Sequence, residues 1–196
     1  MFKTKETVFI FALFLLFFPV YALFNNALLF LFDHAFTQGE VSKIFNYNYT
    51  GSLLGCLGVT KYNELAVSFN FFQKNGVLLI SFLISVLSCY LLFKTKAAPK
   101  YSYKWILIFL FSFFLFFSLE YLLSIIRSFE HLDSAFLKRS YLYLFVTIIT
   151  VILAFFIAFK LLNQKEKRQI VFIVVPASFI SAVIWLAYIG PKILPL

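Results

Sequence analysis

The sequence predicts an all-α membrane protein, a bundle of five transmembrane helices, N-in/C-out, with one long outer loop. Three observations predict it. Five apolar runs, Val8–Phe32, Gly76–Phe93, Trp105–Ile126, Tyr141–Phe159 and Ile170–Ile189, each hold 18 or more residues with at most one charged side chain. A helix rises about 1.5 Å per residue, so each run can cross a hydrocarbon core of about 30 Å. The chain is 63% hydrophobic and only 13% charged, far from the balance of a soluble domain. The third observation is where the cations fall. Ten stand in three short segments: Lys3 and Lys5; Lys94, Lys96, Lys100 and Lys104; Lys160, Lys165, Lys167 and Arg168. Seven others, Lys43, Lys61, Lys74, Arg127, Lys138, Arg139 and Lys192, are spread over a much longer stretch. That density difference puts the short segments in the cytoplasm. The five runs take most of the chain, so residues 1–196 form a single membrane domain.

The first run contains Pro19, which predicts a kink held by a neighbouring helix. Asn25 and Asn26 should face protein or the outer headgroups. Lys3, Lys5 and the Val20-Tyr21-Ala22 triplet also fit a cleaved secretory leader, but the apolar run continues through Phe32, which favours an uncut span. The outer loop, 33–75, opens with a polar and aromatic half. Three glycines follow in Gly51–Gly58, which argue for a tight bend. Its last part, Tyr62–Phe72, reads as a helix lying on the membrane surface. Run two carries Ser81, Ser85, Ser88 and Cys89 on one face, small enough for close helix approach. Run three opens on Lys104 and Trp105, expected as anchors at the inner interface. Run four contains Thr147 and Thr150, expected to bond back to helix carbonyls. The segment Asn163–Gln169 reads as a tight, basic loop. Run five has Pro176 beside Ala177, Ser178, Ser181 and Ala182, a docking surface for run two, with Trp185 and Tyr188 at the outer interface. Gly190-Pro191 should end the helix.

Composition excludes several classes. The net charge of +9 lies in short loops beside spans, which suits anionic headgroups rather than nucleic acid. Two cysteines, Cys56 and Cys89, make no CxxC or Cys/His spacing, so neither a metal nor a cofactor is expected. On this topology they lie on opposite sides of the membrane. There is no GxSxG, HExxH or phosphate-binding loop.

The candidate chemistry lies at the outer face. Glu120, Ser124, Arg127 and His131 follow at steps of four, three and four, one face of a helix that would outrun the bilayer. Glu120 falls about 22 Å from Trp105, roughly 8 Å below the outer boundary, where a carboxylate needs a partner or water. Asp33 and His34 end run one at the same level. Cys56, in Gly-Cys-Leu-Gly, is a candidate nucleophile if Arg127 and His131 lower its pKa. The combination of Cys56, Arg127 and His131 resembles exosortase-type membrane transpeptidases, which place Cys, Arg and His at outer helix ends. It departs from them because no span follows Cys56 and because His131 follows Arg127 too closely to begin a later helix. Three functions are open: a non-enzymatic subunit or accessory factor, a small transporter or channel, and an enzyme acting at the outer face on a lipid-linked or secreted substrate. The lack of a buried polar pathway favours the first. Its partners would be membrane lipids and a protein docked on the small-residue faces of runs two and five, with no nucleic acid. The setting expected is a bacterial cytoplasmic membrane.

Overall fold

The computed structural model describes residues 4–37, 45–46, 59–60, 71–95, 101–127 and 134–193. They are almost entirely helical. Helices α1 (Thr4–Leu15) and α2 (Phe17–Thr37) come first, then α3 (Phe71–Lys94), α4 (Tyr101–Arg127) and α5 (Ser134–Phe156). A π-helical turn, Ile157–Leu161, closes α5. After it come α6 (Gln164–Gln169), α7 (Val175–Ile184) and α8 (Gly190–Ile193), joined by two more π turns, Ile170–Val174 and Trp185–Ile189. Strands β1 (Phe45–Asn46) and β2 (Val59–Thr60) pair antiparallel and bracket the glycine-bearing stretch 51–58, which lies outside the described residues. So does most of Tyr62–Phe72, expected as a surface helix; only its last two residues are described, and they begin α3.

Four helical stretches are long and apolar enough to cross a membrane: Thr4–Asn25, Tyr101–Leu119, Tyr141–Leu161 and Gln164–Ile193. The apolar part of α3, Leu78–Lys94, is shorter. The helices outrun the apolar runs. Residues 33–37 extend α2, and Lys138 and Arg139 fall on α5.

The chain divides into two compact units, 1–79 with 169–196, and 80–168. In the first, α7 packs on α1 and α2. Pro19 carries no N–H, and its ring crowds the carbonyl four residues back, so the helix breaks at Leu16. The break is bridged by Leu16 N–H on the Leu13 carbonyl (3.2 Å) and Val20 N–H on the Leu16 carbonyl (3.1 Å). Beside it, the Phe18 N–H donates to Ser181 Oγ at 3.0 Å. Phe14, Phe17 and Tyr21 stack on the buried side, with the Phe17 and Tyr21 rings parallel and 5.8 Å apart. Asn25 turns inward on its own helix, its Nδ2 donating to the Tyr21 carbonyl at 2.8 Å.

The small-residue face of the last helix, expected as a docking surface for run two, serves the kink of run one through Ser181, and Ala177, Ser181 and Ala182 are buried. Two expectations for the last helix are corrected. Trp185 is no interfacial anchor. It follows Ala177 and Ser181 at steps of four, which puts it on the same packed face, 1% exposed. Gly190-Pro191 does not end the helix, which runs to Ile193. The preceding π turn sends the Gly190 N–H back to the Trp185 carbonyl, so Pro191 sits in the first turn of a new α segment, where a missing donor is tolerated. The π turn before Pro176 works the same way, with Val175 N–H on the Ile170 carbonyl.

In the second unit, α3, α4 and α5 alternate in direction. Phe82 meets Phe114 and Ser85 Oγ donates to the Phe111 carbonyl at 3.0 Å, so α3 and α4 are antiparallel. Phe117 meets Tyr143, and Phe93 meets Phe156. Ser81, Ser85, Ser88 and Cys89 are all buried, so the small-residue face of α3 is covered inside the chain.

Candidate functional site

Most of the outer candidates lie outside the described residues. Cys56 and His131 lie outside the described residues. Glu120 and Arg127 both stand on α4, as the spacing required, about 10 Å apart along its axis. Their side chains, and that of Asp33, lie outside the described residues as well. His34 is exposed on α2. Cys89 is a free, buried thiol. No group of three His, Cys, Asp or Glu capable of holding a metal occurs among the described residues.

The polar groups that do converge stand at the opposite end, where α4 begins and α5 ends. The sequence suggested a basic loop over Asn163–Gln169. Only Leu162 and Asn163 leave the helix there. Helix α6 starts because Asn163 and Glu166 cap each other. Asn163 Oδ1 accepts the Glu166 N–H at 2.9 Å, and Glu166 Oε2 accepts the Asn163 N–H at 2.8 Å. This reciprocal pair satisfies two donors that a helix start leaves without intrahelical acceptors. The second carboxylate oxygen is free to turn inward, and Lys104 Nζ lies 2.7 Å from Oε1. The same ammonium donates to the Leu161 carbonyl at 3.1 Å, one of the last carbonyls of the preceding helix. Three chain segments are thus tied at one point. Both side chains are largely shielded, Lys104 at 18% and Glu166 at 10% exposure, so water screens the pair weakly.

Trp105, expected beside Lys104 as an interfacial anchor, is fully buried. The cation-rich rim is built instead from Lys160, Lys165, Lys167 and Arg168. Lys165 Nζ stands 6.0 Å from the centre of the Tyr101 ring and Lys167 Nζ 5.4 Å from that of Phe159. The sequence does carry the signal for this turn. Asn163-x-x-Glu166 ahead of an apolar run is a helix-start signature, hidden by the three cations that share the segment.

Between the two ends, α3, α4 and α5 carry serine and threonine hydroxyls. Those of Ser88, Ser112 and Thr150 donate to carbonyls four residues back on their own helices. The buried hydroxyls of Ser81, Ser118 and Thr147 have no hydrogen-bond partner among the described residues. The ring contacts place Ser81 at the level of residue 115 and Thr147 at that of residue 113 on α4. Ser118 then stands about 4.5 to 7.5 Å above both, so the three do not form one polar layer.

No protein-family model matches this chain, and neither a curated protein nor a solved structure is similar to it.

Proposed function

We propose that the protein is a non-enzymatic subunit or accessory factor of a membrane assembly, crossing a bacterial cytoplasmic membrane five times with N-in/C-out topology. The observation that carries the reading is the state of the described polar groups. The Lys104–Glu166 ion pair closes a turn, and the hydroxyls of Ser88, Ser112 and Thr150 are spent on carbonyls of their own helices. A carrier or channel needs polar groups that can exchange partners along a path. Support for the fifth crossing comes from α3, whose 24 residues span about 36 Å. The small-residue faces are covered within the chain, whereas Leu83, Leu87, Tyr90 and Phe93 line one exposed face of α3.

Purification of the full chain from its host in a mild detergent tests the proposal. A stoichiometric partner supports it, and a clean monomer opposes it. Accessibility tags on the two termini test the odd number of crossings; tags on one side refute it. Glu120→Gln and Cys56→Ser separate this reading from an outer-face enzyme. If either abolishes the cellular phenotype at normal expression, an outer-face enzyme or a proton-coupled carrier takes its place.

A further inference from the structure

The basic end of α5 sets a stripe of exposed apolar side chains directly beside a cluster of cations. Ile148, Ile152, Phe155 and Phe159 follow at steps of four, three and four, so they share one helix face, and all four are exposed. The stripe ends in aromatic rings, with Phe155 and Phe159 nearly parallel and their centres 6.1 Å apart. Directly over the last ring stands Lys167 Nζ, 5.4 Å from its centre. Lys160 is the next residue after Phe159 and is exposed, as is Arg168. The only carboxylate in the turn, Glu166, is turned inward to Lys104 and Asn163. The rim therefore presents cations whose acidic neighbour is engaged elsewhere. An apolar stripe that terminates in a cation cluster at a membrane boundary has the layout of a phospholipid, with acyl chain below and phosphate above.

We infer that the stripe Ile148–Ile152–Phe155–Phe159 and the cations Lys160, Lys167 and Arg168 hold an anionic phospholipid at the basic end of α5. Its acyl chain lies along the exposed face, and its phosphate meets the three cations. Charge complementarity selects the headgroup: a zwitterionic lipid brings its own cation and gains less there. Lys165, 6.0 Å from the Tyr101 ring, adds to the local positive field. The inference rests on α5 crossing the membrane, and not on the protein being a subunit of an assembly.

The test uses the full chain reconstituted into dioleoylphosphatidylcholine vesicles. These carry a trace of spin-labelled phosphatidylglycerol or spin-labelled phosphatidylcholine. The measured quantity is the preference of the protein-bound, motionally restricted lipid population for phosphatidylglycerol. The native chain should show a clear preference. Lys160→Gln, Lys167→Gln and Arg168→Gln together should reduce it by about fivefold or more, since one surface cation alone is worth about that factor. Replacing Lys5, Lys94 and Lys192 by Gln removes the same charge from other exposed positions and should change it much less. Lys160→Arg with Lys167→Arg keeps the charge and should keep the preference. An unchanged preference in the first variant, or an equal loss in both triple variants, overturns the inference. Failure of the native chain to enter vesicles at all would instead refute the membrane-crossing reading.

Discussion

Breaking the Lys104–Glu166 tie should loosen the fold far more than its place in a short turn suggests. Glu166→Ala removes the ion pair and half of the capping pair at once. A charge-assisted hydrogen bond contributes about 1.5–3 kcal/mol and a helix cap about 1 kcal/mol, so the loss should be about 2–4 kcal/mol. Glu166→Gln can still cap Asn163, because an amide oxygen serves at that position, and should lose about 1–2 kcal/mol. Lys104→Met leaves the carboxylate shielded with only the Asn163 N–H among the described partners, and should lose about 2–3 kcal/mol. The double variant Lys104→Met with Glu166→Gln removes both charges and should be less destabilised than the two single losses summed. The expected coupling energy is about 1–2 kcal/mol. Reversible denaturant titration of the purified chain in detergent micelles, followed by circular dichroism, gives all four stabilities. A coupling energy under about 0.3 kcal/mol, the usual error of additivity, would refute the claim that the pair acts as one unit.

Three other outcomes follow from the packing. Ser181→Val adds methyl groups where the side chain is 1% exposed and removes the acceptor of the Phe18 N–H, so it should destabilise by about 2–4 kcal/mol in the same titration. Ser181→Ala should cost about 1–2 kcal/mol, the value of that bond alone. A Cβ added at Gly76 would lie 2.5 Å from the far edge of the Phe32 ring, so the ring must turn in Gly76→Ala; the helix gains about 1 kcal/mol from the alanine, and Gly76→Ala should be more stable in a Phe32→Ala background than in the native one. Cys89 is 5% exposed; in a Cys56→Ser background it should resist a water-soluble maleimide in the native state and react once the chain is denatured, as mass spectrometry would show. Rapid labelling of the native chain would mean that the α3 face is open.

Much of the helical pattern was legible because it rests on length and hydropathy. Runs one, three, four and five each contain a helical stretch long and apolar enough to cross a membrane. Pro19 announced a break, since a missing donor and a ring clash are properties of one residue. What was misread depended on which face of a helix meets another. Trp105 and Trp185 looked like interfacial anchors by position in the run, but both are buried, because the face a tryptophan occupies is set by its neighbours at steps of three and four. Lys104 looked like another anchor, and its carboxylate partner lies 62 residues away in sequence. No local pattern can announce a pair that distant. For the outer candidates the outcome is narrower. The spacing of Glu120 and Arg127 does put both on α4, while Cys56 and His131 lie outside the described residues.

By itself the sequence determined which stretches of this chain can cross a membrane. Four stretches are long and apolar enough to cross a membrane, and that follows from composition summed along a run, with no knowledge of contacts. Only the tertiary structure decided how the helices meet. It gave Ser181 to the Phe18 backbone, Glu166 to Lys104, and the Phe32 ring to Gly76. Each joins residues remote in sequence, and its strength comes from shielding that exists only once the helices are packed.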